Sequence, residues 1–158
     1  MIRASPINQI VPSGTKTAVR AVLHQYVLQY TALIVRHATK HATTCKRRTV
    51  QETDVQAAVQ LVRGSLPAAP QDESTKYMVS KAVREAFKPL NVSPGALKVL
   101  DDDIRIFVHR LKERLHSSVF ADPSQARRIS TDDVIVILKQ SDGFTEYGTP
   151  AFVYRDKQ

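Results

Sequence analysis

Two short basic runs carry much of this chain's capacity to hold an anion. Residues 46–59 read KRRTVQETDVQAAV and residues 126–138 read ARRISTDDVIVIL. In each run arginines precede a β-branched residue (Val50, Ile129). Four residues later an aspartate (Asp54, Asp133) opens an aliphatic segment. A guanidinium supplies charge and a forked set of donors, while short hydroxyls and the free N–H groups at a helix start take phosphate oxygens. Lys46, Arg47, Arg48 and Thr49 therefore form one candidate phosphate-binding run, and Arg127, Arg128 and Ser130 a second. Either run alone also reads as an ordinary solvated loop. The repetition carries more weight: the two aspartates lie 79 positions apart in a chain of 158, so the repeat divides the protein in half. Two such copies can form each other's core.

Other reactive residues point to less. His37, His41 and Cys45 are spaced by four and would share a helical face with ligands suited to zinc or copper. A fourth ligand is lacking, and Cys45 falls at a loop, so no metal is expected. Asp101, Asp102 and Asp103 interrupt an apolar helical stripe. They read either as a solvated acidic face or as an acidic patch for a basic protein segment; three consecutive helical residues diverge too much for a metal site. There is no glycine-rich phosphate loop, no nucleophile elbow and no paired histidine with a carboxylate at metal spacing. Neither an enzyme, a cofactor nor a small-molecule substrate is expected.

The elements that must position these residues are helical. Ser5-Pro6 starts a short helix over 5–11, which Pro12-Ser13-Gly14 stops. Val19, Val22, Leu23, Tyr26, Val27, Tyr30, Leu33 and Ile34 recur at helical spacing, predicting a long helix over 15–42. Thr43 to Val50 is a basic loop, and Thr53 caps a helix over 53–62. RGSLPAAPQDE (63–73) is rich in breakers and reads as a connector. The plan then repeats. Ser74 caps a helix over 75–88, Pro89 to Pro94 break it, and a second long helix follows over 95–118. Residues 119–128 form a loop, and Thr131 caps a helix over 131–140. The tail after Gly143 lacks helical period but holds four of the ten aromatics, so part of it is expected to pack. A long helix with two short ones cannot close a core alone, whereas two such units crossing at their long helices can.

The net charge of +8 is uneven: residues 1–70 carry +7 and residues 71–158 carry +1. A basic surface concentrated in one half suggests a polyanion partner, nucleic acid first. No apolar run of about 18 residues exists to span a membrane, and no signal-type segment opens the sequence. A lone cysteine fits a reducing compartment.

The order and spacing of these elements resemble the histone fold. PINQIV and PSGTKTAV resemble its first helix, first loop and the start of its central helix, and KRRTVQETDVQAAV its second loop and third helix. KYMVSKAVREAFKPLNVSPGALKVL resembles the segment leading into the fold of core histones, and RRISTDDVIVILKQSDGFTEYG its last loop, third helix and C-terminal extension. Two such units in one chain look like a histone doublet, as found in some large DNA viruses and some archaea. The expected class is all-α: two short-long-short folds forming an intramolecular handshake pseudo-heterodimer. The first fold would occupy 1–66, the linker 67–73, the second fold 74–148 and a tail 149–158.

The resemblance implies DNA-backbone binding where the first loop of one unit meets the second loop of its partner. It places Thr15 and Lys16 beside Arg127, Arg128 and Ser130. It likewise places Lys46, Arg47, Arg48 and Thr49 beside Asn91, Ser93 and Lys98. It further implies that Arg47 pairs with Asp54 and locks the loop. In the second half Ala126 occupies the arginine position, leaving two possibilities: Arg127 substitutes, or Asp133 caps its own helix. The end of the first long helix would join a four-helix contact with a neighbouring pair. The implied partners are double-stranded DNA and other histones or a second doublet, in chromatin or a nucleoid, or in a virion and host nucleus if viral. No long lysine-rich stretch precedes the first helix, so compaction is expected from the core. The competing expectation is a histone-fold interaction subunit of a transcription or DNA-repair complex, favoured by the near-neutral second half and Asp101–Asp103.

Overall fold

The computed structural model describes residues 1–63 and 77–140. Each half presents a short helix, a long helix and a second short helix. In the first half these are α1 (Ala4–Asn8), α2 (Thr17–Thr44) and α3 (Glu52–Arg63); in the second, α4 (Ser80–Phe87), α5 (Pro94–His116) and α6 (Thr131–Gln140). Two-residue strands β1 (Thr49–Val50) and β2 (Asn91–Val92) follow α2 and precede α5, and a 3-10 turn spans Pro123–Arg128. The Ser74 cap, the connector and the tail aromatics lie outside the described residues.

α1, α2 and α4 start after Arg3, Lys16 and Val79 with no side-chain cap, so Ser5 is not the cap expected of it. Thr53 lies inside α3 rather than ahead of it, whereas α5 is capped. Ser93 accepts the Ala96 N–H at 3.0 Å, with Pro94 at the first helical position, so α5 begins at Pro94. α1 ends before the expected residue 11: the Gln9 N–H still reaches Ser5 O in helical fashion, but the Ile10 N–H closes onto Ile7 O, three residues back. Gly14 adopts a φ of 88°, which reverses the chain ahead of α2. α2 runs 28 residues, about 42 Å at 1.5 Å per residue.

The core lies where the two halves cross. Tyr30 on α2 stacks on Phe107 of α5 with centroids 3.8 Å apart and planes within 9°. Tyr26 flanks the same ring at 5.4 Å. α3 packs on both α2 and α5, and α4 and α6 pack on α2. The apolar stripes predicted for both long helices are buried here. The chain start joins the second half through an antiparallel bridge between Ile2 and Met78.

Candidate nucleic-acid interface

The first edge is built from the end of α2. The N–H of Arg47 reaches Ala42 O at 3.0 Å and that of Lys46 reaches Thr43 O at 2.9 Å, with Lys46 at a φ of 58°. This left-handed closure normally takes glycine. It turns Arg47 back toward α3, where both terminal guanidinium nitrogens donate to Asp54, at 2.6 and 2.8 Å. Asp54 is buried and also accepts the Gln51 N–H at 2.7 Å and meets His41 Nδ1 at 2.6 Å. Burial alone would push the Asp54 carboxyl up. The Arg47, Gln51 and His41 hydrogen bonds and the Arg47 charge outweigh it and hold the group below its usual value. Arg47 is thus committed inward, whereas Lys46 and Arg48 are exposed.

The locked loop then pairs with the other half. β1 and β2 run parallel, with Thr49 opposite Asn91 and Val50 opposite Val92. Arg48 O accepts the Asn91 N–H at 2.9 Å, and Val50 O accepts the Ser93 N–H at 3.0 Å. The structure therefore brings together Lys46, Arg48, Thr49, Asn91 and Ser93. Lys98 stands one turn into α5 and lies 3.3 Å from Asp102. Arg84 of α4, absent from the sequence reading, donates to Val92 O at 3.3 Å. Glu52 was also missed. A Cβ at Gly95 would collide with Glu52 Oε1, so this carboxylate lies against the positive first turn of α5, beside the proposed phosphate site.

The second edge is built differently. Ser130 and Asp133 cap each other: the Ser130 N–H donates to Asp133 Oδ2 at 2.9 Å and the Asp133 N–H to Ser130 Oγ at 3.3 Å. Of the two possibilities left open, Asp133 caps its own helix. The Ser130 backbone and hydroxyl bonds, with the nearby Lys16 charge, hold its carboxyl below the usual range. Ala126, at the position expected for an arginine, is buried. Arg127 and Arg128 are exposed, and Lys16 brings the first half's loop to this edge. Thr15 corrects the expectation: it is buried, and its hydroxyl donates to Pro12 O at 2.7 Å, closing a turn rather than facing a ligand.

The acidic triplet is also corrected. Asp101 and Asp103 are buried and Asp102 is half-buried. Asp101 accepts the N–H groups of Tyr77 and Met78 at 2.8 and 3.1 Å and pairs with Arg105. Asp102 pairs with Lys98 and Arg105. Asp103 accepts the Tyr30 hydroxyl at 2.6 Å and pairs with Arg63. Burial raises the Asp103 carboxyl, and the Arg63 charge and the Tyr30 and Arg63 bonds only partly offset this. These aspartates tie the halves and turns together, so the triplet does not form the solvated acidic face expected of it. The histidine–cysteine spacing likewise resolves into separate roles. Cys45 ends α2, His41 engages Asp54, and burial beside Arg36 and Lys40 lowers the His37 pKa. Among the described residues no group of three potential ligands converges on a metal site.

No protein-family model matches this chain, nor does any curated protein or solved structure.

Proposed function

We propose that the chain is a histone doublet: two histone-like folds paired within one polypeptide that bind duplex DNA through its backbone. The observation that carries this reading is the parallel pairing of Thr49–Val50 with Asn91–Val92. It seats the basic loop of one half beside the capped start of the other half's long helix, with Lys46 and Arg48 exposed. Such a surface offers exposed cations and short hydroxyls, groups that suit phosphate oxygens and position a duplex without reading its sequence. Binding is therefore independent of sequence and steeply dependent on salt. On this reading the particle grows by association with other histones or a second doublet and compacts DNA in chromatin, a nucleoid or a virion.

A second reading, a protein-interaction subunit of a transcription or repair complex, draws on the half-exposed Leu61 and Val136 and the near-neutral second half. Titrating salt against unrelated duplexes, followed by micrococcal nuclease digestion, separates the two. Packaging predicts equal affinities across sequences, a steep fall with salt and protected fragments of defined length. Absence of binding at about 0.1 M salt, where charges still act over roughly 10 Å, rejects it.

A further inference from the structure

The crossing of α2 and α5 is nearly symmetric in position and asymmetric in chemistry. Shifting the first half by 77 residues lays the cap of α2, Lys16, on the cap of α5, Ser93. Buried Val19, Leu23, Val27, Thr31, Ile34 and Ala38 then fall on buried Ala96, Leu100, Ile104, Val108, Leu111 and Leu115. The same shift exchanges Tyr30 with Phe107, the pair stacked at the centre of the crossing. It also lays Tyr26 on Asp103. The contact of Tyr30 with Asp103 therefore has a mirror contact, Phe107 with Tyr26, and both are present. One is a charged hydrogen bond completed by Arg63, and the other is aromatic.

We propose that the buried Tyr30–Asp103–Arg63 triad selects which halves pair, making the crossing heterotypic and rejecting like halves from two copies of the chain. The physical reason is desolvation. Arg63 and Asp103 side chains are each 5% exposed, and removing either would leave the other buried without its ion-pair partner. In a pair of two second halves, each Asp103 would face Phe107 of the other copy, with neither the Tyr30 hydroxyl nor Arg63 to receive it. In a pair of two first halves, each Tyr30 would meet Tyr26 of the other copy, and both Arg63 guanidiniums would be left without a carboxylate. Repulsion of wrong pairs confers specificity even where the right pair gains little net stability.

The test uses full chains. One carries Asp103→Arg and the other Arg63→Asp. Neither can complete the triad with its own halves, but two chains that exchange halves can: one crossing regains the native pair and the other the reversed pair. Each variant alone should melt below wild type. Refolding the two together should yield a 1:1 complex of twice the chain mass by light scattering, melting above either alone. Putting both substitutions in one chain should restore the wild-type mass and melting. Single variants of wild-type mass and stability, alone and mixed, overturn the proposal. Should neither single variant fold, alone or mixed, the doubly substituted chain decides: recovery of wild-type mass and melting upholds the selection, and no recovery rejects it.

Discussion

Asp54 concentrates more interactions than any other side chain at the first edge. A carboxylate buried without partners is costly, and here two Arg47 donors, a backbone N–H and His41 offset that cost. Its folded pKa is lowered, so its contribution is fully present above the unfolded carboxylate value of about 3.9 and is lost as pH falls through the folded value. Asp103 has the opposite sign. Its folded value is raised, so ionisation there lowers stability as pH rises from about 3.9 through the folded value. Asp54→Ala should reduce stability at pH 7 by about 1.5–3 kcal/mol, the range for hydrogen bonds to charged groups. Urea titrations should show the gap from wild type narrowing below about pH 4, where the carboxylate of the unfolded chain begins to take up its proton. A gap equally wide at pH 3 would show that Asp54 acts through packing rather than charge.

At the scale of elements, periodicity made both long helices legible. Their ends were less so, because termini depend on backbone closure rather than on the stripe. α2 outruns its expected end at 42 because Lys46 occupies the left-handed position that a glycine would have announced. The loop expected over 119–128 packs: Phe120 and Ala126 are buried, and a 3-10 turn over Pro123–Arg128 leads into α6. The Asp122-Pro123 pair has the residue types of a turn, and there Asp122 accepts the Ser124 N–H at 3.1 Å. The acidic triplet misled because Arg63, the partner of Asp103, is 40 positions away, and no local pattern reports it. Lys46 has a testable consequence. A left-handed non-glycine residue costs roughly 1 kcal/mol. Lys46→Gly should therefore raise stability by about that amount in denaturant titration, while removing a charge from the first edge. If Lys46 meets DNA, the logarithmic salt slope of binding should flatten by about 0.9. Greater stability with unchanged DNA affinity would remove Lys46 from the interface.

Across the whole molecule, the two loop edges sit at opposite ends of α2, about 42 Å apart by its length. A duplex touching both spans roughly a dozen base pairs at 3.4 Å each. The edges are unequal. The first has a β pairing, a locked arginine and the opposing carboxylate of Glu52. The second has a 3-10 turn, exposed Arg127 and Arg128, and a self-capped Asp133. Lys46→Ala with Arg48→Ala, and separately Arg127→Ala with Arg128→Ala, should each weaken binding to all duplexes alike. Each should flatten the logarithmic salt slope by about two, as expected for two lost phosphate contacts. All four side chains are exposed, so the fold should persist, with melting as the control. Because the edges are far apart and share no partner, the quadruple variant should show the sum of the two losses in binding free energy. A loss confined to Lys46 and Arg48 would mean that DNA crosses one edge only, leaving the near-neutral half to a protein partner. Equal, additive losses require a DNA path along the full length of α2, the geometry that wrapping demands.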